Sequence, residues 1–371
     1  MKISLIGPVY PYRGGIAHHT TMLGNALTGE DHHTQIISYR RQFPGWLYPG
    51  ESDQDPSGEP VRTHAEYILD PFYPWTWIEC TKRISSFNPD LVVLQWWTTF
   101  WAIPYAVISS NLQKREYRTG FMIHNVIPHE AKPWDKWLAK MVLSKGDYFI
   151  AQSPQEKDRL LEIVPNASVS ICQIPTYSIF LNGKISREEA RKKLAIPPDA
   201  FVMLFFGIVR PYKGLGTLLD AMYVLAEDGL KPTLLIAGEF WEDKQQYIDR
   251  IDEHHLEGQV MIDDRYIPNE EVSVYFSAAD VMLAPYTGGT QSAVVGAALG
   301  FGLPLIVSEK IADGITDLNK DRMYIVPAGD VNFLADTIRE FMVRLSGQEM
   351  GTTPAPDDWW RMVKTLEDLA A

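Results

Sequence analysis

Apolar runs of strand length alternate with helix-like stretches in the first half of the chain. The helical pattern is clearest at Ala17–Leu27 and Pro154–Ile163. Strands are predicted at Lys2–Ile6, Thr34–Tyr39, Pro89–Gln95, Gly120–His124 and Asp147–Gln152. Continuous apolar strands separated by helices are typical of a parallel sheet covered on both faces. The first half is therefore predicted to be a doubly wound α/β domain.

A polar segment, 178–199, interrupts this alternation and contains the breaker Ile196-Pro197-Pro198. The alternation then restarts and predicts a second doubly wound domain. Its strands are predicted at Phe201–Phe206, Thr233–Ala237, Val260–Asp263, Val281–Ala284 and Leu305–Val307. We predict a first domain at 1–177 and a second at 178–355. The stretch 42–62 is interpreted as an irregular loop of the first domain.

The last sixteen residues, 356–371, have apolar positions at helical spacing. Such a helix needs an apolar surface to pack on. A second stretch, 132–145, combines lysines with Trp and Leu at similar spacing, which is typical either of an interfacial helix or of a surface helix with one buried face.

Composition narrows the function classes. The chain has 371 residues with 46 % hydrophobic and 22 % charged residues, as expected of a globular protein with a large core. Its formal net charge of −13 repels nucleic-acid backbones, so no nucleic-acid partner is expected. The first residues do not resemble a signal peptide, and no run reaches the ~18 apolar residues of a membrane span. These features indicate a cytoplasmic protein, at most peripherally attached to the inner face of a membrane.

Residues that follow strands of a doubly wound sheet are candidates for ligand binding, because ligands bind at the carboxyl ends of such strands. In the first half these are Gly14 and Gly15, which either make a tight turn or let backbone N–H groups approach an anion. Trp96 and Trp97 either stack on an acceptor or belong to the core. His124 is either structural or oriented toward a substrate.

The strongest signal opens the second half. Gly207 ends a strand, and Arg210 and Lys213 follow it just before a helix. Two cations and a helix N-terminus can jointly hold a diphosphate, whereas loop charges would simply be solvated. Two further segments at strand ends offer backbone N–H groups and side-chain hydrogen bonds, namely Gly238-Glu239 and Gly289-Thr290-Gln291-Ser292.

In this order, these residues resemble the retaining glycosyltransferases with the GT-B fold, family 4. The resemblance also rests on Ala279-Asp280, on Gly302-Leu303-Pro304 and on the Trp-bearing final helix. It implies two facing Rossmann-like domains, with the final helix crossing back to the first. The implied activity is transfer of a sugar from a nucleoside-diphosphate sugar to a glycan, lipid-linked or small-molecule acceptor, with retention of configuration.

The resemblance also implies roles for individual residues. Arg210 and Lys213 match the pair that grips the donor diphosphate and stabilises the leaving group. Gly15 matches a glycine beside that diphosphate, and His124 matches a histidine that faces the transferred sugar. The base is expected near Gly238 and the segment Tyr266-Ile267. No metal and no other cofactor is expected.

One departure from the family bears on activity. The family commonly carries two glutamates before its G-x-P motif, and the corresponding positions here are Gly289 and Ala297. The segment Thr290-Gln291-Ser292 resembles a subgroup with TQS at this place. Glu239 and Glu309 are candidates to replace the missing carboxylate. Two alternatives therefore stay open: a nucleotide-sugar epimerase, and a catalytically weakened protein that binds a nucleotide sugar or a partner. The donor base, the sugar, the acceptor, the linkage and the oligomeric state are not specified by the sequence.

Overall fold

A computed structural model describes residues 1–128, 130–181, 183–315, 322–345 and 354–371. The chain forms two compact units, each with its own sheet. The first unit contains 1–55, 60–175 and 358–371, and the second contains 56–59 and 176–357. Both sheets are built from parallel strand pairs, so the predicted α/β fold class is confirmed.

The first unit has seven strands in the order β3-β2-β1-β4-β5-β6-β7. Its elements are β1 (Lys2–Ile6), α1 (Gly15–Gly29), β2 (His33–Tyr39), β3 (Glu66–Leu69), α2 (Pro74–Phe87), β4 (Leu91–Trp96), α3 (Ala102–Gln113), β5 (Thr119–Ile123), α4 (Asp135–Leu143), β6 (Tyr148–Ala151), α5 (Pro154–Ile163) and β7 (Val169–Ile171). The central strands are buried along their length, as the continuous apolar runs predicted.

The second unit has six strands in the order β10-β9-β8-β11-β12-β13. Its elements are α6 (Arg187–Lys193), β8 (Val202–Phe206), α7 (Leu215–Glu227), β9 (Thr233–Ala237), α8 (Gln245–Glu253), β10 (Val260–Asp263), α9 (Asn269–Ala278), β11 (Val281–Ala284), α10 (Ala293–Phe301), β12 (Leu305–Ser308), α11 (Glu309–Ala312), β13 (Met323–Val326) and α12 (Val331–Leu345). A second apolar core lies between its sheet and helices.

The chain returns to the first unit at its end. Helix α13 (Trp359–Ala370) packs on α1, as the apolar spacing of the tail and the resemblance predicted. Its buried face consists of Trp359, Met362, Val363 and Leu366, whereas Trp360 points to solvent. The spacing of these four residues places them on one side of the helix.

One segment differs from its prediction. The stretch 42–62 was expected to be a loop of the first domain, but 56–59 belongs to the second unit. There the hydroxyl of Ser57 accepts a hydrogen bond from the N–H of Asn269 at the start of α9 (2.9 Å), and the N–H of Gly58 donates to Glu270 (2.8 Å). The orphan N–H groups of a helix start attract such partners, which a sequence pattern does not reveal.

Candidate functional site

One candidate site lies in the second unit and follows strand β8. Gly207 has a positive φ of 90°, and Arg210 begins a single 3₁₀ turn over Pro211–Lys213. Gly214 closes this turn with φ 75° and starts α7. A side chain at Gly214 would place its Cβ 2.1 Å from the carbonyl oxygen of Pro285, so only glycine fits without a shift of the backbone. The loop after β8 is thus packed directly against the loop after β11.

Lys213 is buried, although it carries an amine. Burial and, to a smaller extent, the positive charge of Arg210 together lower its pKa to about 7. Its Nζ lies 5.6 Å from the ring centre of Tyr286, and the guanidinium of Arg210 lies 5.4 Å from that of Trp241. A cation held close to a second cation is stabilised by any anion that binds between them.

Three loops surround this pair within the second unit. Gly238 has φ 152°, and a Cβ there would lie 2.2 Å from the carbonyl oxygen of Gly207, so the ends of β8 and β9 are in direct contact. Glu239 follows and is buried. Gly207 in turn faces α10, because its Cβ would lie 3.1 Å from Val294. The predicted residues at these strand ends are therefore neighbours in space.

The loop before α10 carries the TQS segment. Gly289 has φ 88°, Thr290 is buried and Gln291 is half-buried. The hydroxyl of Ser292 lies 3.1 Å from the hydroxyl of Tyr286, so this side chain bonds to a neighbour and does not cap α10. Ala297, at the position of a family glutamate, is buried inside the helix.

Two predicted base contacts lie after β10. Tyr266 is half-buried and Ile267 is buried. They precede α9, and the N–H of Gly238 donates to the carbonyl oxygen of Asp263 at the end of β10 (2.9 Å). This bond joins the segment to the strand ends that hold Gly207 and Gly238.

A second candidate site lies in the first unit, at the ends of β4, β5 and β6. His124 follows β5 and is buried, with Nε2 2.6 Å from Oε1 of Gln95. The net effect of burial, which the nearby amide of Gln152 opposes in part, is to lower its pKa to about 4. His124 is therefore neutral near pH 7, which suits a side chain that orients a ligand.

A second histidine, which the sequence analysis did not select, lies beside the first. The rings of His19 and His124 meet edge to face at 4.8 Å, and Nε2 of His19 lies 2.8 Å from Nε2 of Gln152. Burial lowers the pKa of His19 well below its usual value, and His124 lowers it further. The available signal was position: His19 is one turn after Gly15, and Gln152 directly follows a strand.

Three atoms of this cluster are buried and lack a hydrogen-bond partner among the described residues, namely Nδ1 of His19, Nε2 of Gln95 and Oε1 of Gln152. Buried polar atoms are nearly always paired, so such atoms are suited to a ligand. On the same unit, Gly14 precedes α1 with φ 102° and open space around it, and Gly15 is the first residue of α1.

The two tryptophans of the predicted acceptor contact differ. Trp96 is 1 % exposed and lies in the core, where its indole N–H donates to the carbonyl oxygen of Val126 (3.1 Å). A ring enclosed in this way has no face to offer to an acceptor. Trp97 is half-buried and packs on Tyr39, so only this one of the pair keeps an accessible face.

Two further observations concern the described residues alone. Within them, no three or more His, Cys, Asp or Glu side chains are grouped so that they could hold a metal ion. None of the helices described is both long and apolar enough to cross a membrane.

Comparison with known proteins identifies relatives that are similar in sequence to this chain. The chain is 27 % identical over 201 residues to D-inositol 3-phosphate glycosyltransferase 1 of Catenulispora acidiphila, which is 51 % of this chain and 48 % of that protein. It spans about half the length of the curated relatives that it matches.

Solved structures share the fold over almost the whole chain. Sucrose-phosphate synthase of Thermosynechococcus elongatus superposes with a TM-score of 0.70 at 19 % identity, covering 99 % of this chain and 98 % of that one. Anabaena HepE in complex with UDP superposes with a TM-score of 0.70 at 14 % identity, covering 99 % of this chain and 100 % of that one. These likenesses establish the two-domain GT-B fold.

Family profiles match each half of the chain. Residues 13–175 match Glycosyltransferase Family 4, and residues 186–344 match Glycosyl transferases group 1. The two matched ranges together span both units and most of the chain. The chain therefore belongs to the group 1 glycosyltransferases of the GT-B fold.

Proposed function

We propose that the chain transfers a sugar from a nucleoside-diphosphate sugar to an acceptor, with retention of configuration and without a metal. The observation that carries this proposal is the pair Arg210 and Lys213 on one short turn at the end of β8. A diphosphate placed at this turn would be held by both cations. Its negative charge grows as the sugar departs, so the pair stabilises the leaving group.

The low pKa of Lys213 supports this role. Without a ligand the amine is close to half protonated at neutral pH, because burial and Arg210 disfavour its charge. A bound diphosphate supplies the missing counter-charge and raises the pKa, so that Lys213 binds the donor in its protonated form. The energetic cost of burying the amine is thereby offset when the donor binds.

His124 is proposed to orient the transferred sugar. Its imidazole is neutral near pH 7 and is held by Gln95. The unpaired buried atoms of His19 and Gln95 beside it would form hydrogen bonds with sugar hydroxyls. Retention is proposed from the family resemblance, with attack by the acceptor on the face that the diphosphate leaves.

The ribose contact needs a different carboxylate from the usual one. Ala297 and Gly289 stand where the family carries glutamates, and the exposed carboxylate of Glu309 lies 3.6 Å from Lys310. Glu239 is buried directly after Gly238, at the same strand ends as the cationic pair. We therefore propose Glu239 for the ribose hydroxyls, and Tyr266 and Ile267 for the base.

UDP-sugars are the first donors to test. Solved structures with this fold carry UDP and UDP-glucose in Anabaena HepE, and UDP-2-fluoro glucose in an E. coli trehalose-6-phosphate structure. The name of the Catenulispora relative adds inositol phosphates to the acceptors worth screening.

The experiment is a thermal-shift panel of UDP, GDP, ADP and their sugar conjugates, followed by acceptor screening with the base that binds. A ligand that prefers the folded state raises the Tm. The double variant R210A/K213A is expected to lose the shift and to lose activity by roughly 100-fold or more, as when charge stabilisation of a leaving group is removed. The control is Lys231→Ala, an exposed lysine of the second unit.

The outcomes separate the alternatives. A loss of only a few-fold in the double variant contradicts the assignment of Arg210 and Lys213. Donor binding without turnover on any acceptor would favour the weakened binding protein, and conversion of the donor sugar without an acceptor would favour the epimerase.

A further inference from the structure

Several large apolar side chains are exposed on the first unit. Five of them lie at the starts of three helices: Trp75 and Ile78 in α2, Ile103 in α3, and Trp134 and Trp137 at α4. Their side chains are between 41 % and 65 % exposed. We call these five residues the apolar edge.

The topology makes these residues neighbours. Helices α2, α3 and α4 pack side by side, α2 on α3 and α3 on α4. Each helix follows a parallel strand, β3, β4 or β5, so all three begin at the edge of the sheet where those strands end. The five residues lie within the first five positions of their helices or directly before them. They therefore form one band along this edge.

The band is not the buried face of these helices. The side that faces the sheet is formed by other residues, such as Trp77 and Ile84 in α2, Tyr105 in α3, and Val142 and Leu143 in α4. Single exposed apolar residues are ordinary, but a contiguous band with three tryptophans is typical of an interaction surface.

The charges around the band favour a negatively charged partner. Lys132, Lys136 and Lys140 are exposed beside Trp134 and Trp137, in a chain whose net charge is −13. The Nζ of Lys132 lies 5.6 Å from the ring centre of Trp134. Asp135, the acidic residue of α4, is buried and accepts hydrogen bonds from Thr99 and from the N–H of Lys132.

Two exposed acids lie nearby, and they do not cancel this charge. Glu79 of α2 lies 3.9 Å from Arg83, and Glu130 precedes the lysines. The exposed face of α4 itself carries lysine and tryptophan and no carboxylate.

We propose that the apolar edge and its three lysines form the surface by which the first unit lies on an anionic lipid bilayer. Tryptophan rings lie at the level of lipid headgroups, and each lysine near a negatively charged bilayer strengthens binding by roughly fivefold. The combination of both residue types on one helix start selects a bilayer over a purely apolar or purely acidic partner. His124 follows β5 at the same edge of the sheet, so an acceptor anchored in the bilayer would reach the side of the unit that carries the proposed sugar contact; this last point rests on the proposed function.

The experiment is flotation of the full chain with vesicles of phosphatidylcholine alone and of phosphatidylcholine with an equal amount of phosphatidylglycerol. The chain is expected to float with the anionic vesicles and to be released by salt. Two variants, W134S/W137S and K136E/K140E, are each expected to weaken binding by roughly tenfold or more, because the first removes both rings from the headgroup layer and the second reverses two charges that face it.

Two control variants change residues outside the apolar edge. Trp360→Ser removes a tryptophan that is 59 % exposed on α13, and K192E/K193E reverses two exposed lysines of α6. Both are expected to bind like the unmodified chain. The UDP thermal shift should be unchanged in all four variants, so failure of vesicle binding is distinguishable from failure of the proposed transferase function.

Three results would overturn the proposal. One is no flotation with either vesicle. Another is equal loss of binding in the edge variants and in the controls. The third is unchanged flotation of the edge variants together with an altered oligomeric state by light scattering, which would assign the band to a protein partner.

Discussion

Lys213 shows how one buried amine links stability to pH. Its pKa falls from 10.5 to about 7 in the folded chain, chiefly because of burial. Between these two values the unfolded chain binds more protons than the folded chain. The contribution of Lys213 to the free energy of unfolding therefore rises with pH in this window, by up to about 1.4 kcal/mol per pH unit.

The test is urea unfolding at several pH values across that window. Lys213→Met is expected to lose the part of the slope that Lys213 causes, because it cannot bind a proton. Lys231→Met, at an exposed site, is expected to keep it. Equal slopes in the Lys213→Met variant and the unmodified chain would show that the amine is not buried as described.

Two glycines of similar conformation allow the cost of a left-handed backbone to be separated from the cost of a steric clash. Gly214 and Gly229 have φ of 75° and 77°, but a Cβ at Gly214 meets the carbonyl oxygen of Pro285 whereas a Cβ at Gly229 meets nothing within 4 Å. Gly229→Ala is expected to cost about 1 kcal/mol from the left-handed conformation alone. Gly214→Ala is expected to cost at least about 2 kcal/mol and to weaken UDP binding, because the turn that carries Lys213 must move.

Calorimetry measures the loss of stability in each variant, and titration with UDP measures the change in binding. If both variants lower the Tm equally, the close approach to Pro285 does not contribute to the free energy of unfolding.

Among the elements, the edge strands were the hardest to predict. Central strands such as β1, β4 and β5 were found from sequence because both of their faces are buried. Three of the four edge strands, β3, β7 and β13, were missed: each has only three or four residues and is partly exposed. A short strand with one solvent-exposed face lacks the continuous apolar run that identifies a buried strand.

Candidate site residues also differ in how far the sequence identifies them. A glycine and two cations at a strand end form a local pattern, and this pattern identified Gly207, Arg210 and Lys213 as candidates. His19 and Gln152 were not, because the two residues are far apart in the chain and are brought together only by folding. The position of Trp96 after a strand left both an acceptor contact and the core open, because its burial is decided by packing across several elements.

Helix α13 offers a matched pair of tryptophans. Trp359 is 3 % exposed and its ring lies 5.2 Å from that of His19, whereas the adjacent Trp360 is 59 % exposed. Trp359→Ala is expected to destabilise the first unit by roughly 3–5 kcal/mol, as for other buried aromatic residues. Trp360→Ala is expected to lie within about 0.5 kcal/mol of the unmodified chain.

Thermal unfolding compares the two variants. Similar Tm values would mean that the packing of α13 on α1 does not depend on the apolar face of α13.

At the scale of the whole molecule, the division into two units predicts how a fragment of the chain binds UDP. All of the proposed diphosphate and base contacts except Gly14 and Gly15 lie within 176–357. A fragment of these residues contains the sheet and core of the second unit, and lacks the contacts of 56–59. We expect it to fold and to bind UDP more weakly than the full chain, as titration calorimetry would show. An unfolded fragment would mean that the second unit depends on the rest of the chain.

The return of the chain to its first unit has a consequence for synthesis on the ribosome. Every residue of the second unit is made before α13, which covers His19 and completes the packing on α1. The unit that begins first is therefore finished last. Until translation passes Trp359, the nascent first unit exposes the apolar surface of α1 that α13 will cover, while the second unit already has all of its strands.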